Sequence, residues 1–281
     1  MSAAINLTNP VNKNHYLNRG RVFWHIALPG LQRGKYLRNI AAAGNHPELK
    51  TGTSPTNSLN VGYPRPGGWG SFRCDTADDG SYTAIDGRLQ LSYPLSIAAW
   101  VRNIGTPTDY ANVFGCTYDT AASAPYLCYG IYQPVHASAP GIAFGGNYGG
   151  TFKTIYPPTA IPSTSLTTWT RIVIAVNSAG AGFYVNGVYK GFTSDALPSA
   201  PNYSTSVVGI GEVWSLSRNP NMDLDDCSIW NRELSSEEIA ADYKLGIQGY
   251  PGVLNRFKRV DSLRAAAATG NPWYYYSLLR G

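Results

Sequence analysis

The chain has 281 residues, 43% of them apolar and only 14% charged, with 30 Gly, 19 Pro and 20 Tyr. Charge this sparse excludes a coiled coil or helical bundle, and aromatics this frequent exclude a disordered chain. Apolar runs are only a handful of residues long, so no membrane-spanning helix is expected. The net charge of +5 is unevenly spread, with +6 in residues 1–50, −5 in 51–250 and +4 in 251–281.

The opening "MSAAINLTNPVN" has no basic n-region and no apolar h-region, so no secretory signal is expected. Residues 1–19 read as an extended arm. "RVFWHIAL" then alternates, placing Val22, Trp24, Ile26 and Leu28 on one face of a strand. Arg19, Arg21, Arg33, Lys35 and Arg38 form either a solvated rim or a basic patch, and the rim is preferred over a nucleic-acid surface. A long Gly/Pro/Ser/Asn segment at 44–70 follows.

Short strand-like runs recur after it: "SFRC", "SYTAID", "LSIAAWVRN", "ANVFGCTY", "YLCYGIY", "GIAFGG", "TRIVIAV", "GFYVNGVYKGF", "SVVGIGEVW" and "DDCSIW". Turn residues separate them, which predicts an all-β sandwich or barrel. Asn186-Gly187 is the pair expected in a tight hairpin, where both central residues need positive φ. One helix is predicted in "ELSSEEIAADYKLG", with Ser235 and Glu238 as a capping box, Ile239 and Tyr243 on one face, and Gly246 as the stop. A second helix is predicted at about 252–268, before the aromatic tail "NPWYYYSLLRG".

Cys74, Cys116, Cys128 and Cys227 contain no Cys-x-x-Cys spacing, which argues against zinc. Without a signal peptide, buried free thiols are preferred over disulfides. The four histidines are scattered without ligand-like spacing.

The run "MDLDDCSIWNRELSSEEIAADYKLG" at 222–246 resembles the closing signature of LamG-like jelly-roll domains of the concanavalin A-like lectin/glucanase superfamily. Asp225, Asp226, Trp230, Asn231, Arg232, Leu234, Ser235 and Glu238 match it residue by residue. "PLSIAAWVRN", "TTWTRIVIAVNSAGAGFYVNGVYKG" and "GSFRCDTADDGSYTAID" resemble further family motifs in order, although Cys74 and Thr76 depart from the usual Phe and Gly. The arm "NPVNKNHYLNRGRVFWHIALPG" and "GYPGVLNR" resemble single-domain LamG-like proteins frequent in bacteriophage and planctomycete-type genomes.

The resemblance implies a two-sheet antiparallel jelly-roll sandwich with a short capping helix. Residues 1–19 would be the arm, 20–247 the jelly roll, and 248–281 a C-terminal helical extension with an aromatic tail. Trp100, Ile172, Ile174 and Val176 are expected to face inward or into adjoining layers. Trp24, Trp169 and Trp230 are likewise expected in the core.

Glycoside hydrolases share this sandwich and need two carboxylates flanking the scissile bond. The only Glu residues are Glu48, Glu212, Glu233, Glu237 and Glu238, and none forms a Glu-x-Asp-x-x-Glu strand, so no catalytic residue is assigned. Asp75, Asp225 and Asp226 are candidate calcium ligands, with turn hydrogen bonding as the alternative. No other cofactor is implied. Tyr148, Tyr156, Tyr203 and Trp214 are candidate glycan-stacking residues, and equally candidate interface residues. Arg256, Arg259, Trp273, Tyr274, Tyr275 and Tyr276 are candidate partner-docking residues.

These readings point to a non-enzymatic virion protein, of the accessory or decoration type, on a phage capsid or tail. The jelly roll would be exposed at the virion surface and the termini would dock. Expected partners are a capsid or tail protein, further copies of the chain (a trimer among the options) and a cell-surface glycan, with neither nucleic acid nor membrane. A free-standing carbohydrate-binding lectin is the alternative. A glycan-degrading enzyme ranks third for want of the carboxylate pair.

Overall fold

A computed structural model of the chain describes residues 14–27, 40–41, 50–51, 60–61, 65–68, 70–74, 81–84, 89–106, 111–118, 127–133, 141–148, 151–197, 206–211 and 220–251. Within them the strands are β1 (Arg21–His25), β2 (Lys50–Thr51), β3 (Asn60–Val61), β4 (Phe72–Cys74), β5 (Ser81–Ala84), β6 (Leu95–Asn103), β7 (Ala111–Tyr118) and β8 (Leu127–Gln133). They continue with β9 (Ala143–Tyr148), β10 (Thr151–Ile155), β11 (Thr170–Asn177), β12 (Gly180–Val185), β13 (Val188–Ser194), β14 (Ser206–Ile210) and β15 (Met222–Trp230). One helix, α1 (Ser236–Ile247), follows the last strand.

Two antiparallel sheets pack face to face. One runs β13-β12-β11-β6-β15-β4-β3, and β1 adds to the far half of β15; the other runs β10-β9-β8-β7-β14-β5-β2. Between them lie Ile97, Val101, Ile172, Ile174, Val176, Phe183, Leu224 and Ile229 from the first sheet, against Phe114, Tyr129, Ile131, Phe144, Val208 and Ile210 from the second. The all-β sandwich expected from the turn spacing is therefore the architecture.

The central strands of the first sheet, β6, β11 and β15, are buried on both faces. Ala98, Val173, Ala175, Tyr184 and Trp230 on its outer face join Leu234 and Ile239 in a second apolar cluster beneath α1. This explains why "IVIAV" at 172–176 reads as an unbroken apolar run, since a strand covered on both sides has no polar face to alternate with. Trp24, Trp100 and Trp230 are buried, but none belongs to the cluster between the sheets. Trp169 is only half-buried, beside Arg102 at 5.6 Å.

Predicted turns and caps hold in detail. Asn186 and Gly187 close the β12–β13 hairpin with φ of 52° and 78°. Ser235 is the N-cap of α1, and both halves of its capping box with Glu238 are formed. Arg232 adds bonds of 2.7 Å to each Glu238 oxygen, which is the main cause holding that carboxylate below its usual range. The predicted stop at Gly246 is corrected: the helix runs to Ile247, and Gly249 at φ 76° provides the left-handed exit. Gly246 serves instead as a close-approach site, because a Cβ there would lie 3.1 Å from the Tyr250 hydroxyl and 3.2 Å from Trp100 Nε1.

The packed unit is wider than residues 20–247. Leu17 is buried and its carbonyl accepts from Trp230 Nε1 at 2.8 Å. Tyr250 is buried at the other end of the chain. The extended-arm reading is thus corrected for residues 14–19, which include a 3-10 turn at Tyr16–Asn18. Residues 1–13, the predicted helix at 252–268 and the aromatic tail lie outside the described residues. Strands β2, β3 and β10 had no sequence expectation. Cys74, Cys116 and Cys227 are buried and in no disulfide, while the side chain of Cys128 is outside the described set.

Candidate functional site

The chemistry in "DLDD" begins with a backbone irregularity. Along β15, Met222, Leu224, Cys227 and Ile229 face the inter-sheet core. Strict alternation cannot place both 224 and 227 inward. A register shift between Asp225 and Ser228, with Asp226 at φ 51°, supplies the extra residue. Two successive carboxylates consequently point to the outer face, beneath α1 and the chain leaving it.

Three arginines from distant segments meet them. Arg65 Nε donates to Asp225 Oδ2 at 2.7 Å, and its NH1 donates to the Gly246 carbonyl at 2.6 Å, satisfying the C-terminal end of α1. Arg171 donates through NH1 to the Asp226 carbonyl at 2.6 Å, and through Nε and NH2 to Asp242 Oδ2 at 3.0 and 2.8 Å. Arg21 donates to Asp242 Oδ1 at 3.1 Å, with its guanidinium centred 3.9 Å from Trp24 and 4.4 Å from Trp230. Asp226 also accepts from Trp24 Nε1 at 2.6 Å and from the Tyr250 hydroxyl. Three guanidinium groups thus balance three carboxylates, all buried.

Burial and partners set opposite protonation tendencies. Arg65 and Arg171 are buried, which opposes their charge, yet two carboxylates beside each hold their pKa above the ordinary value. Arg21 has one carboxylate bond, so burial pulls it below the ordinary value. Asp225 is pushed up by burial against the pull of Arg65. Asp226 overcomes the same burial through Arg171, Arg65 and Arg21 and sits lower. Burial, then the Asp226 and Asp242 carboxylates, push the Tyr250 phenol well up.

This geometry corrects the calcium expectation for Asp225 and Asp226. Calcium takes six to eight oxygens in one shell, whereas these carboxylates face guanidinium, indole, phenol and backbone N–H donors. Among the described residues no group of three His, Cys, Asp or Glu side chains converges to hold a metal ion. Asp75 lies outside the described residues. Asp223, one pleat away, is buried and shared by Arg73 and Arg102, with Arg73 Nε at 2.8 Å and Arg102 Nε at 3.0 Å.

The candidate glycan residues do not come together as one described site. Tyr148 ends β9 and its side chain is outside the described set, as are Tyr203 and Trp214 altogether. Tyr156 is 42% exposed at the end of β10. Two exposed rings that sequence reading missed are on β13, paired with the outer-face positions Tyr184 and Gly182: Tyr189, 52% exposed, and Phe192, 38% exposed. The Thr193 hydroxyl donates to the Tyr156 carbonyl at 2.5 Å, and Lys153 pairs with Asp195 at 2.8 Å. Both sheets therefore end along one lateral edge. Arg256, Arg259 and Trp273 to Tyr276 lie outside the described residues.

Signals for the buried layer were present. Arg171 interrupts an apolar strand, and Asp242 sits three residues after Ile239 and four before Gly246, on the buried side of α1. Arg65, within the Gly/Pro segment, carried no such pattern.

Comparison with known proteins gives a family and a fold. A profile described as Concanavalin A-like lectin/glucanases superfamily, Laminin_G_3, matches residues 75–240. The binding domain of Paraclostridial Mosquitocidal Protein 1 superposes with a TM-score of 0.58 at 15% identity, over 84% of this chain and 56% of that one. The botulinum neurotoxin serotype D ligand binding domain in complex with N-acetylneuraminic acid gives 0.55 at 14%, over 81% and 51%. Trypanosoma rangeli sialidase gives 0.51 at 13%, over 80% and 33%. The chain spans about half the length of the first two and a third of the last. No curated protein matches by sequence. With its two-sheet sandwich and a profile match across more than half its length, the chain belongs to the Laminin_G_3 family of the concanavalin A-like lectin/glucanase superfamily.

Proposed function

We propose that this protein is a non-enzymatic attachment protein, an accessory component on the capsid or tail of a virion, whose jelly roll presents a recognition surface. The observation that carries the non-enzymatic reading is the fate of the carboxylates beneath the helix. Asp225, Asp226 and Asp242 are buried and engaged by arginine. A glycosidase pair must instead flank a bound sugar, with one member able to give up a proton. Support for the virion setting comes from the phage-type arm and from basic ends flanking an acidic middle, which suit docking by the termini.

Mass spectrometry and antibody labelling of gradient-purified virions test the setting. The protein is expected in the virion band, and a variant lacking residues 271–281 is expected to fold yet leave that band. Absence from virions would overturn the setting. Release of sugar from a panel of polysaccharides would overturn the non-enzymatic part. A free-standing lectin is the second reading, favoured by the exposed rings at Tyr156, Tyr189 and Phe192.

A further inference from the structure

We infer that α1 is a hinged lid on the first sheet, and that the turn Arg65–Gly68 is the latch holding its C-terminal half shut. The inference is independent of the attachment reading. Different forces hold the two halves of the helix. At its N-terminal end, Leu234 and Ile239 enter the apolar cluster around Trp230 and Tyr184. That end is fixed further by the capping box, by a 3.1 Å bond between the Tyr184 and Ser236 hydroxyls, and by the Leu234 N–H donating to Ser96 Oγ at 2.9 Å. The C-terminal half lies on the ionic layer instead. Asp242 accepts there from Arg21 and Arg171, and Tyr250, just past the helix, donates to Asp226. Tyr243 stacks on Trp100, but among the described residues none of 240–247 belongs to either apolar cluster.

A half-helix lying on charged groups costs less to lift than one lying on hydrocarbon, because water solvates what is uncovered. The closed layer also leaves buried donors without an acceptor, Arg21 Nε and Nη1 and Trp100 Nε1. Water admitted on opening would satisfy them. The latch comes from outside the helix. Arg65 donates to Asp225 on β15 at 2.7 Å and to the Gly246 carbonyl at 2.6 Å, so one guanidinium bridges sheet and lid. Its turn is closed by the Gly68 N–H donating to the Arg65 carbonyl at 2.9 Å, and it runs directly against the helix end. Gly67 has φ 72°, and a Cβ there would overlap the Ile247 carbonyl and lie 2.6 Å from that of Gly246. Only glycine lets the turn pass this close. Arg65–Gly68 belongs to no strand and Pro66 is exposed, so the turn can withdraw without unpairing either sheet. Opening would then free the chain from Tyr250 onward while the sandwich stays intact.

The test is hydrogen exchange of the full chain, read by mass spectrometry at several urea concentrations below the unfolding transition. In the wild type, amides of residues 241–250 are expected to exchange at least tenfold faster than those of β6 and β11. Their rate should depend little on urea, the sign of a local opening. Arg65→Lys keeps the charge and loses the planar fork, while Gly67→Ala crowds the helix end without touching a charge. Each should speed exchange at 241–250 a further tenfold or more, with β6 and β11 changing less than threefold. Exchange rising equally in α1 and both sheets would overturn the latch, since the turn would then support global stability alone. No change at 241–250 in either variant would overturn it as well. Equal rates for 241–250 and β11 in the wild type would overturn the lid, whether or not the variants fold.

Discussion

Arg171 on β11 and Asp242 on α1 join sheet to helix through two bonds to one carboxylate oxygen, at 3.0 and 2.8 Å, with both side chains wholly shielded from solvent. Breaking one side of such a pair strands the other charge in a low-dielectric layer. Arg171→Met is expected to cost about 3–5 kcal/mol. Adding Asp242→Leu is expected to bring no recovery, because it removes the one carboxylate that the buried Arg21 bonds. Urea unfolding of both variants checks this, and a double variant more stable than Arg171→Met would contradict it.

Tyr250 provides an alkaline signature. Its folded pKa lies above the ordinary tyrosine value, so the stability it contributes is complete below about pH 10 and is lost as pH rises toward the folded value. Tyr250→Phe removes a donor to Asp226 and should cost about 1–3 kcal/mol at neutral pH. The gap between wild type and variant is expected to shrink above pH 10. A gap independent of pH would show that the phenol contributes only packing.

Trp100 is pinned between Tyr243, stacked at 5.5 Å, and the Arg65 guanidinium at 5.0 Å from its ring. Trp100→Ala should cost about 3–5 kcal/mol and loosen α1 before the sandwich opens. Hydrogen exchange should rise first in residues 236–247. Uniform loss of protection across both sheets would contradict this order.

Because arginine and neutral donors fill the carboxylates of Asp225 and Asp226, excess chelator should leave the melting curve unchanged. A ligand held only by the folded state would instead lower the midpoint on removal. A fall of several degrees with EDTA, reversed by calcium, would place a metal at other residues.

Local chemistry determined much of this protein. Ser235 and Glu238 sit at the spacing that closes a capping box, and Asn186-Gly187 tolerates the positive φ of a tight hairpin, so both were legible without any long-range contact. Runs such as "LSIAAWVRN" announced strands because turn residues bracket them. Tertiary structure decided what those strands face. An apolar run buried on both sides does not reveal which side meets the other sheet, and so the three buried tryptophans proved to belong outside the inter-sheet core. The bulge at Asp226 depends on pairing β15 with β6 in a particular register, which no local rule supplies. That one extra residue turns "DLDD" from a candidate metal cluster into half of a buried ionic layer. Its other half comes from Arg21, Arg65 and Arg171, brought together by strand order and by a helix end that needed a donor.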